Sequence, residues 1–250
     1  MTRYVAALVA FGFSLSFISA KAKEPYCPAA SIKDCQDEGC PKPSDAPFRF
    51  DPELNKKKNI RSDDQTPVSR TFTWFQNRSD PTRFTEKNKN RDELKTLHEG
   101  DKITVVAWAL AAKQEEQETC NCGLTDPKDT DVHIVLVKPS LKHPTLAANE
   151  GNSQTAEFTP RTRLDHPNFT QVKLEPLIDP TWKPKQKPTK GKLLVRVTGL
   201  LMFDSYHFLH NSLVRRNDWE IHPILKFEYC PPNQVCRGDN DANWKDLESE

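Results

Sequence analysis

Apolar residues along this chain recur with period two more clearly than with a helical period, and they do so mainly in its second half. Lys102–Ala112 (KITVVAWALAA) reads as a first strand, its β-branched and continuous apolar character suiting an element covered on both faces. Asp131–Val137 (DVHIVLV) is a second, with Val132, Ile134 and Leu136 on one face and Asp131 and His133 on the other. Ala156–Thr159 is a short third strand, ended by Pro160, with Ala156 and Phe158 opposite Glu157 and Thr159. Lys192–Asp204 is the fourth, with Val195, Val197, Leu201 and Phe203 toward a core and Gly199 marking a bulge or bend that switches faces. The fifth, Trp219–Tyr229, alternates throughout: Trp219, Ile221, Pro223, Leu225, Phe227 and Tyr229 against Glu220, His222, Lys226 and Glu228. Pro223 cannot donate to a ladder, which calls for a bulge or a free edge there.

Between these runs the pattern weakens. Asn168–Ile178 carries Val172, Leu174, Leu177 and Ile178 at helical spacing, interrupted by Pro176, and reads as a short helix. Thr71–Phe75 reads as a short strand or a docking segment, and Thr85–His98 as a weak helix anchored by Leu94 and Leu97. The rest of 23–98 is charged, and Lys56, Lys57 and Lys58 read as a solvated basic run. Such a stretch has little apolar surface to offset the entropy of ordering it. The tail from Arg237 to Glu250 is polar and expected to be loose.

Composition sharpens this division. Among 250 residues the hydrophobic fraction is 36% and Pro outnumbers Gly 20 to 8, which fits one modest core with long irregular segments. A net charge of +1 gives no overall attraction to nucleic acid or an anionic membrane. Arg3, the apolar run Tyr4–Ile18 and Ala20-Lys21-Ala22 read as a signal peptide over 1–22, cleaved after Ala22. The run is short of the roughly 20 apolar residues of a spanning helix, and no second apolar run of spanning length follows. All 7 cysteines follow that cleavage site, as in an exported, disulfide-bearing chain, secreted or periplasmic. Cys230 and Cys236 should close a small loop, and Cys120 or Cys122 should staple the extension to the first inter-strand loop. The odd count leaves one thiol over.

The order strand, strand, strand, weak helix, strand, strand is that of a mainly β, five-stranded Greek-key barrel of the oligonucleotide/oligosaccharide-binding (OB) type. From Gly100 to Cys230 the chain resembles that fold: GDKITVVAWAL is similar to its opening strand and KLLVRVTGLLMFD to its fourth. The stretches ETCNCGLTDPKDTDVHIVLV, VRVTGLLMFDSYH and WEIHP together resemble a group of exported bacterial proteins with no assigned activity. That resemblance implies fold and compartment and carries over no catalytic residue. The expected organisation is a signal peptide at 1–22, an irregular cysteine-bearing extension at 23–98, the barrel at 99–230 and a polar tail at 231–250.

Barrels of this type meet ligands on strands two and three and on the loops between strands one and two and between four and five. The last of these loops holds Tyr206, His207, Phe208, Arg215 and Arg216, aromatics beside cations, as ligand-contacting candidates. The plainer alternative is that Tyr206, Phe208 and Leu209 cap the barrel end while the arginines are solvated. A second constellation is the outward face, where alternation gathers Asp131, His133, Glu157, Glu220 and His222. Two imidazoles and several carboxylates are a donor set for a divalent transition metal, or else plain cross-strand pairs. No phosphate-binding loop, nucleophile elbow or zinc-protease motif is present.

The leading expectation is an exported binding module for an extended polar ligand, an oligosaccharide or a protein segment, with no cofactor. The alternative is a metal-dependent hydrolase acting on phosphodiesters. In it His133 and His222 would be ligands with Glu157 or Asp131, and Glu220 the base. A structural envelope protein assembling through the odd thiol is the third.

Overall fold

A computed structural model describes residues 29–40, 50–210 and 213–250. The signal peptide expected at 1–22 and Cys27 lie outside the described residues.

Short helices α1 (Pro52–Lys58), α2 (Phe72–Gln76) and α3 (Asp92–Thr96), with strand β1 (Val68–Arg70), precede the barrel. The long strand β2 (Lys102–Gln114) is followed by β3 (Val132–Val137), helix α4 (Leu146–Asn149) and β4 (Gln154–Phe158). Helix α5 (Gln171–Ile178), β5 (Leu193–Phe203), helix α6 (Ser205–His210), β6 (Trp219–Tyr229) and β7 (Lys245–Asp246) complete the order. β2 pairs antiparallel with β3, β3 with β4 and β5 with β6. β4 runs parallel to β6 and β5 returns to β2, which closes a five-stranded mixed barrel. This is the strand order expected, with α5 between the third and fourth barrel strands.

Alternation fills the interior. Val105, Ala107, Ile134, Leu136, Ala156, Phe158, Val195, Val197, Phe203, Trp219 and Phe227 form the main core. The first barrel strand is not covered on both faces along its length. Thr104, Val106 and Trp108 are partly exposed, and only after a register shift between Ala109 and Ala111 do Leu110 and Ala111 join a second cluster with Val135, Val137 and Leu146.

The bend foreseen at Gly199 lies across the ladder. β5 keeps Val195, Val197, Leu201 and Phe203 facing inward. The extra residues are in β6, where the register steps past Leu225 and past His222-Pro223. Ile224 therefore enters the core in place of Pro223 and Leu225, and Phe227 and Tyr229 return to the expected face. Gly199 allows the approach: a Cβ there would lie 2.3 Å from the Pro223 carbonyl oxygen.

Several local readings change. Thr71–Phe75 is helical, because the Thr71 hydroxyl accepts from the Trp74 amide and caps α2. The extension is irregular but not loose: Phe72, Phe75, Phe84 and Leu94 join the barrel core, a burial that its scattered aromatics supply without periodicity. The tail is also held, since β7 pairs with β6 and Leu247 is fully buried. Cys35 pairs with Cys122 and Cys230 with Cys236, so the extension is stapled to the first inter-strand loop as expected. Among the described residues no helix is long and apolar enough to cross a membrane.

Gly199→Ala should lower the unfolding free energy by about 2–4 kcal/mol, because backbone rather than a flexible side chain blocks the new methyl. Denaturant unfolding measures this, and a change below about 0.5 kcal/mol would show that the β6 bulges relax freely.

Candidate functional site: a covered polar face beneath a small pocket

The outward faces of β3, β4 and β6 carry the polar side chains that alternation placed there. His133 stands opposite Glu157 across the β3–β4 ladder, and Thr155 pairs with Glu220 across the parallel β4–β6 junction. His133 Nε2 lies 2.7 Å from Glu157 Oε1, and its Nδ1 lies 3.0 Å from Glu115. His222 Nδ1 lies 2.9 Å from Glu157 Oε2 and 3.3 Å from Glu220 Oε1, while Nε2 is 4.0 Å from Asp131 Oδ2. All five residues anticipated on this face are thus brought together.

This face is not solvated. Asp131, Glu157, Glu220 and His222 are each at most 1% exposed. Covering it are α1, residues 115–123 and α6. α1 starts where the Asp51 carboxylate accepts from the Glu53 and Leu54 amides, with Pro52 in the first turn. The helix turns the third residue of the lysine run inward. Lys58 Nζ is buried and lies 3.3 and 3.1 Å from the two Glu118 carboxylate oxygens, whereas Lys56 stays exposed. The expectation of a solvated basic run fails at Lys58 because helical geometry gives each lysine its own direction.

At the other end of the face, Asp204 closes β5 and accepts from the amides of Tyr206 and His207, starting α6 where a loop was expected. Its carboxylate also meets His207 Nδ1 and, at 3.2 Å, Arg215. Arg215 spans onward to Glu220 at 2.9 Å.

Charge is distributed in a definite way over this cluster. Burial opposes the charged form of Lys58, His133 and His222, but the carboxylates around them outweigh it. Glu118 holds the Lys58 ammonium well above its usual range, Glu157 and Glu115 do the same for His133, and His222 is pushed up to about 10 by Glu157 and Glu220. Against its own burial, Glu157 is held well below the carboxylate range by His133 and His222, and Asp204 is lowered by His207, Lys58 and Arg215. Asp131 is pushed up to about 7 by burial and by Glu118. Burial and Glu118 also raise the Cys120 thiol, which donates to Glu118 Oε2 at 3.0 Å. Cys120 is therefore a buried thiol, not one presented for assembly.

Above this face lies a cavity of about 240 Å³. α1 supplies Leu54 and Lys58, the first inter-strand loop supplies Glu118 and Cys120, and α6 supplies Tyr206 and His207. Tyr206 stacks on His210 with ring centroids 4.4 Å apart. Of the five loop candidates, Tyr206 and His207 line the cavity. Phe208 instead packs edge-on against Phe203 of the core, Arg215 is held between Asp204 and Glu220, and Arg216 is exposed away from the cavity. Reading the sequence missed Lys58, Glu118 and Asp204. Asp51-Pro52 was a legible helix start for Lys58, and Asp204 before Ser-Tyr-His a legible cap. Nothing local marks Glu118. Comparisons with protein-family models, with curated proteins and with solved structures found no match.

These shifts set the pH dependence of stability. Glu157 and Asp204, both depressed, stabilise the fold above the unfolded carboxyl pKa of ~4 and lose that contribution as pH falls further. Asp131 and Glu175, both raised to about 7, stay neutral in the fold while the unfolded chain ionises, so stability declines from pH ~4 to 7. His222, raised to about 10, contributes fully below the unfolded value of ~6.5 and loses its contribution as pH rises through 10. Thermal unfolding should therefore show the highest Tm near pH ~5 and a Tm at least ~5 °C lower at pH ~9. A Tm that rises from pH ~5 to ~9 would contradict this distribution of charge.

Proposed function

We propose that this chain is an exported binding module that receives the terminal unit of a hydroxyl-rich ligand, an oligosaccharide, in the cavity between α1, the first inter-strand loop and α6. The observation that carries the reading is the lining. One small cavity presents carboxylates, ammonium and imidazole groups, and an aromatic ring at a barrel end. A neutral polyol can accept from Lys58 and His207 and donate hydroxyls to the lone pairs that Asp204 and Glu118 keep beyond their ion pairs. A ligand of one strong charge would be repelled by half of these groups. Tyr206 offers an apolar ring face beside them. A volume of about 240 Å³ lies below the range of drug-sized sites and suits a single sugar unit, with the remainder of the ligand running outward. Export is supported by the leader-like first 22 residues and by two disulfides.

A glycan array, followed by calorimetric titration of the hits, tests the proposal. The parent should bind a defined oligosaccharide, and Tyr206→Ala should weaken binding about tenfold, roughly 1.4 kcal/mol, with a Tm within a few degrees of the parent. Binding of peptides but no glycans, or Tyr206→Ala binding like the parent, would overturn it.

A further inference from the structure

We infer that Asp131, Glu157 and His222 form a binding site for a divalent transition-metal cation of the zinc class, at the floor of the polar face. The inference stands apart from the sugar-binding proposal and rests on how the three side chains are held.

A carboxylate oxygen from each acid and a ring nitrogen of His222 all lie within 4.8 Å of one another. Asp131 has one oxygen committed to an orienting neighbour and the other left over. Asp131 Oδ1 accepts from Asn121 Nδ2 at 3.1 Å, and Oδ2 has no hydrogen-bond partner. Glu157 is held from both sides, Oε1 facing His133 at 2.7 Å and Oε2 facing His222 Nδ1 at 2.9 Å. His222 Nδ1 faces Glu157 and Glu220 at 2.9 and 3.3 Å, and its Nε2 points toward Asp131 Oδ2 at 4.0 Å without a hydrogen bond. Asp131 Oδ2 and His222 Nε2 are left without a hydrogen bond on side chains about 1% exposed, where an unmade hydrogen bond is costly. Orienting partners on the far side of each ligand are the usual outer arrangement of a metal centre. Here Asn121, His133 and Glu220 fill those places.

One imidazole with two carboxylates suits zinc-class ions more than magnesium or calcium, which prefer all-oxygen shells. A neighbouring set, Glu118, Cys120 and Asp131, has comparable spacing, but Lys58 and the Cys120 thiol already occupy Glu118. That engagement favours the His222 set. Glu118 and Cys120 also line the cavity and lie beside Asp131.

The test uses full-length protein purified without a histidine tag, stripped with chelator and titrated with zinc chloride by calorimetry, with metal counted by elemental analysis. One zinc per chain should bind, and the parent Tm should rise with added zinc. Asp131→Asn and His222→Gln should each weaken binding about 100-fold, while His98→Gln, in an exposed pair with Asp101, should bind as the parent does. Circular dichroism shows that each variant is folded. If both site variants unfold, Asn121→Ala, which removes only the orienting amide, should still bind zinc at least about tenfold more weakly. A folded parent that takes up no zinc would overturn the inference, as would folded Asp131→Asn and His222→Gln variants, or Asn121→Ala, that bind zinc like the parent.

Discussion

Four ionisable side chains on one face of the barrel are denied water and a fifth, His133, is largely covered, and much of the remaining structure compensates for that. A buried charge is tolerated only when paired, and Asp131, His133, Glu157, Glu220 and His222 cannot all pair among themselves. Each element laid over them therefore brings a charge of its own. α1 brings Lys58, the first inter-strand loop brings Glu118, α6 brings His207, Arg215 comes from beyond it, and Asp204 closes the end of β5. The covering layer is selected by electrostatics as much as by apolar contact.

This explains why a polar, proline-rich extension is ordered against the barrel. Its apolar anchors are few, with Phe72, Phe75, Phe84 and Leu94 reaching the main core. The Cys35–Cys122 bond fixes its start to the same loop that carries Glu118 and Cys120. Asn59 and Asn55 add hydrogen bonds to the Cys120 carbonyl and the Thr119 hydroxyl. The cavity is what remains where three such layers meet without closing completely.

The barrel was legible from the chain because alternation in DVHIVLV and WEIHPILKFEY is a property of single strands, and its polar half placed the histidines and acids on one face. What was not legible depends on contacts far apart in sequence. Whether that face is wet or covered turns on α1, more than 70 residues upstream of β3. Whether Arg215 meets a ligand or a carboxylate turns on Asp204 and Glu220, at either side of α6 and its following loop. The lysine run showed its composition but not that one member points inward. The β6 bulges were announced by Pro223 and Gly199, yet which strand would absorb the extra residues depended on the Gly199 approach to the Pro223 carbonyl.

The central claim, that charge compensation holds the covering layer on the barrel, is most directly tested by backbone hydrogen exchange in Lys58→Met. Removing the ammonium leaves the partly buried Glu118 without its cation while nearly preserving side-chain length. The account predicts that amides of Asn55–Asn59 and 118–122 exchange at least about tenfold faster, while β5 and β6 keep their protection. Unchanged protection in α1 would contradict it, showing that apolar contact and the disulfide alone hold the layer in place.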